Sequence, residues 1–196
     1  MWEQLRSHFA RHIELTDQEW AFCISLFTSR RIKRKTFLLQ EGEVCKHLVF
    51  VLKGCLDAYI VDRKGEEHVV HFALEDWWLT DDYSFWTGVP GTYFIQALED
   101  SELLIINRDS LEQLFLRHPK FDRYFRILLT NHAVALDRRI VASLSMSAEE
   151  RYLYLLKLYP NLAQRVSLKQ ISSYLGITPE SLSRVRANLA RKSKKS

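Results

Sequence analysis

Residues 168–189 read Leu168-Lys-Gln-Ile-Ser-Ser-Tyr-Leu-Gly-Ile-Thr-Pro-Glu-Ser-Leu-Ser-Arg-Val-Arg-Ala-Asn-Leu189, and this stretch meets the requirements of two short crossed helices. Ile171 and Leu175 fall on one helical face, with the small Ser172 where a second helix would cross closely. Gly176 can take the left-handed conformation that ends the first helix. Ile177 plugs the turn, Thr178 is a good N-cap, and Pro179 sits at the first helical position, where a missing N–H costs nothing. Leu182, Val185 and Leu189 then form the inner face of the second helix. The pattern predicts a helix-turn-helix whose outward face is Glu180, Ser181, Arg184, Ala187 and Asn188, with Thr178 at its tip.

Upstream, two capping boxes punctuate the same region. Ser147 stands three residues before Glu150, and Ser167 three before Gln170. The first opens a helix through Tyr152, Leu155 and Leu158 that stops at Pro160. Before it, residues 121–144 carry Phe121, Tyr124, Phe125, Leu128, Leu129, His132, Leu136, Ile140 and Leu144 at helical spacing without Gly or Pro. A stripe this wide can cover a core at one end and leave apolar surface for a second copy, so Phe125, Leu128, Leu129, His132, Leu136 and Ile140 are the expected dimer seam.

From Arg30 to Asn107 the texture is different. Short β-branched and aromatic runs, among them Phe37–Leu39, Leu48–Leu52, Leu56–Val61 and Leu103–Ile106, alternate with turn signals such as Lys53-Gly54 and Asp62-Arg-Lys-Gly65. That spacing predicts an antiparallel sandwich or roll. The first 28 residues predict one or two packing helices, with Thr16 or Asp17 as an N-cap.

Charge separates the same regions. Residues 1–150 carry 18 Lys/Arg against 23 Asp/Glu, whereas residues 151–196 carry 10 against Glu180 alone, giving −5 and +9. A polyanion is the natural partner for the C-terminal segment. Glu180 and Arg184 lie four apart on one face, where Arg can pair bidentately with guanine and a carboxylate can accept from cytosine. Glu180, Ser181 and Arg184 are the expected base readers. Thr178, Lys169, Arg186, Asn188, Arg191, Lys192, Lys194 and Lys195 are the expected backbone contacts.

Several function classes are excluded. Cys23, Cys45 and Cys55 form neither a CxxC pair nor a disulfide framework, and no apolar run reaches the roughly 18 residues of a membrane span. A cytoplasmic location without membrane contact is the expectation, since the N-terminus has no signal-like basic and apolar segments. His68 and His71 are three apart on a strand and point to opposite faces, which argues against a cupin-like metal site completed by Glu75. His8 and His12 have helical spacing but no third ligand. Neither a phosphate loop nor a Ser/His/Asp arrangement occurs, so no enzyme, metal or cofactor is expected.

Taken together, the roll, the long helix, Gln170-Ile171 to Gly176 and Glu180-Ser-Leu-Ser-Arg184 resemble the Crp/Fnr family of bacterial transcription regulators over almost the whole chain. The resemblance implies an α+β protein: a cyclic-nucleotide-binding-type antiparallel β jelly roll with flanking helices (1–119), a dimerisation helix (120–144) and an all-α helix-turn-helix domain with a basic tail (145–196). It also implies double-stranded DNA at a palindromic operator, a second copy of the chain, RNA polymerase and a small-molecule effector as partners. The family's Arg before the recognition Glu is Pro179 here, and its β-hairpin wing is not expected. Its nucleotide pocket uses a Gly-Glu pair and an Arg before Ser or Thr. In Trp77–Thr92 the pair is absent and Gly91 stands before Thr92, so cyclic nucleotide binding is not expected. Trp78, Thr80, Asp81, Tyr83, Gly91 and Thr92 remain the candidates for another effector's pocket. The alternative reading is a sensing or protein-interaction module with weak or lost DNA binding.

Overall fold

The computed structural model describes residues 1–193. Two helices open the chain, α1 (Trp2–Ala10) and α2 (Asp17–Ser25), the second entered through a capping box between Thr16 and Glu19. Eight strands follow: β1 (Thr28–Ile32), β2 (Phe37–Leu39), β3 (His47–Lys53), β4 (Leu56–Val61), β5 (Glu67–Ala73), β6 (Trp78–Leu79), β7 (Phe94–Ala97) and β8 (Ser101–Asn107). A short helix, α3 (Asp82–Thr87), interrupts them between β6 and β7. They form two four-stranded sheets, ordered β1-β8-β3-β6 and β2-β7-β4-β5, with antiparallel pairing along β1·β8, β3·β8, β2·β7 and β4·β7. Helices complete the chain: α4 (Arg108–Arg117), α5 (Lys120–Ser145), α6 (Ala148–Leu158), α7 (Leu162–Arg165), α8 (Leu168–Leu175) and α9 (Pro179–Ser193).

The chain divides into two compact units, and neither boundary lies at an end of the long helix. The first comprises residues 1–60 and 71–131; the second comprises residues 61–70 and 132–196. The first unit holds the jelly roll. Its core is formed by Phe50, Leu56, Leu103, Leu104 and Ile106 from the strands and Leu5, Phe9, Leu111, Leu114, Phe121 and Tyr124 from the helices, all fully buried. The Tyr124 hydroxyl joins three elements here, accepting from Trp78 Nε1 at 2.9 Å and lying 2.5 Å from His8 Nδ1.

The second unit has its own small core of Tyr152 and Leu155 from α6, Leu162 from α7, Ile171 and Leu175 from α8, and Leu182 and Val185 from α9. The tip of the β4–β5 hairpin belongs to this unit. Asp62 closes that turn, its Oδ1 accepting the amide N–H groups of Lys64 and Glu66.

Candidate nucleic-acid interface

Each local signal in residues 147–189 has its structural counterpart. Both capping boxes are made: Ser147 accepts from Glu150 N and Ser167 from Gln170 N, with the reciprocal carboxylate and amide contacts present. Gly176 ends α8 at φ +65°, where a side chain would be strained. Ile177 N–H then donates to the Ser172 carbonyl at 3.0 Å, and Ser172 itself is buried at 1 % exposure. Thr178 Oγ1 accepts the Ser181 N–H at 3.2 Å, which starts α9 directly after the turn.

The outward face of α9 is partly pre-arranged. The Thr178 hydroxyl donates to Ser181 Oγ at 3.2 Å, and Arg184 Nη2 donates to the same oxygen at 3.2 Å. The Glu180 carboxyl is held below the usual carboxylate range, chiefly by its own backbone N–H, then by the Thr178 hydroxyl and the Arg184 charge. Glu180 and Arg184 therefore present an anion and a cation side by side, the donor and acceptor pair that base edges in a major groove can read. Glu180, Arg184, Arg186, Asn188 and Arg191 are exposed, and Ser181 is half-buried. Lys192 is engaged by Glu149 on α6 at 2.6 Å. Lys194 and Lys195 lie outside the described residues.

Lys169 is also engaged within this unit, in an arrangement that sequence patterning did not reveal. Its Nζ lies 3.2 Å from Glu67 Oε2 at the start of β5. Beside it Ser173 Oγ donates to the Glu67 carbonyl at 2.9 Å and accepts the Val69 N–H at 2.8 Å. Arg139 completes the contact. Its guanidinium donates to the Val69 carbonyl at 3.3 Å, to the Val70 carbonyl, and to the Tyr174 carbonyl of α8 at 3.0 Å. The hairpin tip and the first helix of the helix-turn-helix are thus tied through Lys169, Ser173 and Arg139.

In the first unit, the effector candidates differ in burial. The Trp78 ring packs on Phe50 with centroids 4.9 Å apart and donates to Tyr124, so it is core. Tyr83 is 64 % exposed and Thr92 is exposed, whereas Thr80 and Asp81 are buried. Asp81 caps α3 by accepting the Ser84 N–H at 3.0 Å, and a Cβ built on Gly91 would lie 2.2 Å from its Oδ2. A side chain at position 91 has no room, and a buried carboxylate faces that position. An anionic phosphate there would meet repulsion in place of a cation. At the other hairpin, Asp62, Glu66 and His68 come within ligand distance of one another, a juxtaposition missed when only His68, His71 and Glu75 were weighed. The Asp62 carboxylate already closes the turn and pairs with His68 Nε2 at 3.0 Å.

Comparison with known proteins agrees with this architecture. Residues 29–118 match the family model described as cyclic nucleotide-binding domain. No curated protein sequence matches the chain. Among solved structures, the chain is similar to FixK2 from Bradyrhizobium japonicum (TM-score 0.75, 20 % identity, 85 % of this chain and 86 % of that one). It is also similar to the c-di-GMP-responsive global regulator CLP of Xanthomonas campestris (TM-score 0.70, 16 % identity, 91 % and 93 %). A third similar structure is a Crp/Fnr-family regulator from Eubacterium rectale (TM-score 0.69, 17 % identity, 91 % and 85 %). Residues 29–118 thus match the cyclic nucleotide-binding domain model, and over most of its length the chain shares the fold of these regulator structures.

Proposed function

We propose that this protein is a sequence-specific DNA-binding transcription regulator of the Crp/Fnr type that acts as a homodimer and does not respond to cyclic AMP. The observation that carries the reading is the exposed face of α9, where Thr178, Ser181 and Arg184 are hydrogen-bonded to one another next to Glu180. In the proposed complex α9 enters the major groove; Glu180, Ser181 and Arg184 read base edges, and Lys169, Thr178, Arg186, Asn188 and Arg191 contact phosphates. Dimerisation is supported by the apolar side chains that α5 leaves exposed, among them Leu129 at 42 %, Ile140 at 60 % and Leu144 at 82 %. Two copies would place two recognition helices about 34 Å apart, one turn of B-DNA, which requires a two-fold symmetric site. Indifference to cyclic AMP is supported by Asp81 and Gly91, which supply a buried anion and no cation.

Titration of duplex DNA against the protein across a salt series tests the reading. Specific binding through several phosphates loses affinity steeply with ionic strength and keeps a preference for one sequence at about 150 mM salt. A chain that shows no preference for any duplex at that salt, with or without cell extract metabolites, is not a regulator of this kind.

A further inference from the structure

A cavity of about 470 Å³ opens within the first unit, at a place distinct from the stretch 77–92. Its walls come from both sheets, β1, β3 and β8 on one side and β2 and β7 on the other, together with the loop before β3. The floor is apolar: Leu39, Val49, Ile95 and Ile105 are each less than a tenth exposed. Its volume lies within the ordinary range for small-molecule sites, about 300–1,000 Å³.

The mouth has the opposite character. Arg30, Lys46 and His47 converge on it, and among the described residues neither Arg30 nor Lys46 pairs with a carboxylate. The one acid at the rim, Glu43, has its Oε2 engaged by the Gln40 N–H at 2.9 Å. His47 is held below the usual histidine range, first by burial and then by the Arg30 and Lys46 charges, which reports the positive field at this spot. An apolar floor under two basic side chains that form no ion pair is complementary to a molecule with one anionic end and a hydrocarbon body.

We propose that this cavity is a binding site for an amphipathic carboxylate, its alkyl chain on Leu39, Val49, Ile95 and Ile105 and its head group between Arg30 and Lys46. The site is independent of DNA binding and stands or falls separately from it. It also needs nothing from the buried Asp81, which would repel the same head group in the stretch where the family's nucleotide sits.

Octanoate, titrated calorimetrically into the full chain, is the probe. Saturable one-to-one binding is expected. Affinity should rise about fourfold for each methylene from butanoate to octanoate, the factor expected for burying one CH₂. Octanol, which keeps the chain without the charge, and acetate, which keeps the charge without the chain, should each bind at least tenfold more weakly. The exposed pair Arg30→Gln/Lys46→Gln leaves the core untouched and should lower octanoate affinity at least tenfold while leaving octanol unchanged. Ile140→Lys, on the exposed stripe of α5, should leave octanoate binding intact. Absence of saturable binding, equal affinity for octanol, or loss of binding in Ile140→Lys but not in the Arg30/Lys46 double variant would each overturn the proposal.

Discussion

The Arg139 guanidinium lies 4.0 Å from the centroid of the Tyr174 ring while it donates hydrogen bonds to backbone carbonyls on both β5 and α8. Hydrogen bonds to a charged group contribute about 1.5–3 kcal/mol, and a partly desolvated cation–π contact about 1 kcal/mol. Arg139→Ala should therefore destabilise the second unit by about 3 kcal/mol. Arg139→Lys, which keeps the charge but not the planar fork, should recover less than half of that. Urea unfolding followed through a probe in α8 or α9 measures both; equal stability of Arg139→Ala and the parent protein would contradict the assignment.

If Lys169 contacts a phosphate as proposed, Glu67 competes with DNA for it. Their ion pair, 3.2 Å long and exposed, adds little to stability but occupies a side chain assigned to a phosphate. Glu67→Gln should leave the unfolding midpoint nearly unchanged and raise affinity for duplex DNA roughly two- to fivefold at low salt, with the advantage fading as salt rises. Fluorescence anisotropy across a salt series reads this directly.

Gly54 tolerates no side chain. It sits at φ +109°, and a Cβ there would approach Ser101 Oγ to 2.1 Å and Ser101 Cα to 2.8 Å. The backbone strain and the overlap act together, so Gly54→Ala should cost about 3 kcal/mol. Gly65 has a similar φ of +83° but open space around it, and Gly65→Ala should show only the smaller conformational cost. Thermal unfolding of the two variants separates the effects.

Acid should weaken the first unit in two steps. Burial, helped by the nearby Arg11 charge, holds the His8 imidazole neutral down to about 4, against 6.5 in an unfolded chain. Because the folded value is depressed, the unfolded state takes up the proton first; stability is full above 6.5 and declines as pH falls toward 4. Glu19, held at about 2 mainly by its hydrogen bond from Lys120, adds a second loss as pH falls from 4.5 to 2. In His8→Gln the decline between pH 6.5 and 4 should be shallower than in the parent protein. Parallel pH profiles of the unfolding midpoint would contradict this account of His8.

Legibility from sequence followed the locality of the forces. The helix-turn-helix could be read because caps, Gly176 and Pro179 act within a few residues, and each took its expected place. The long helix was legible for the same reason, its stripe running 121–144 against Lys120–Ser145 in the structure. Strand β1 was missed because Ser29, Arg30 and Arg31 are exposed and polar, and only its pairing with β8 makes it a strand. Helix α3 was missed because the aromatic residues around it suggested a pocket; its signals were Asp81, which caps Ser84, and Gly88 in the left-handed conformation at its end. The Arg139 contact joins positions about 70 residues apart, and the cavity depends on side chains from five strands. Neither leaves a periodic trace in the sequence.

The measurement that tests the central claim most directly is selection of duplexes from a random pool by the full-length protein at about 150 mM salt, a condition that suppresses purely electrostatic association. The account predicts enrichment of a two-fold symmetric motif with half-sites one helical turn apart, and loss of preference at one position per half-site when Arg184→Ala is used in its place. Recovery of no motif, or an unaltered motif with Arg184→Ala, would contradict the assignment of α9 as the helix that reads DNA.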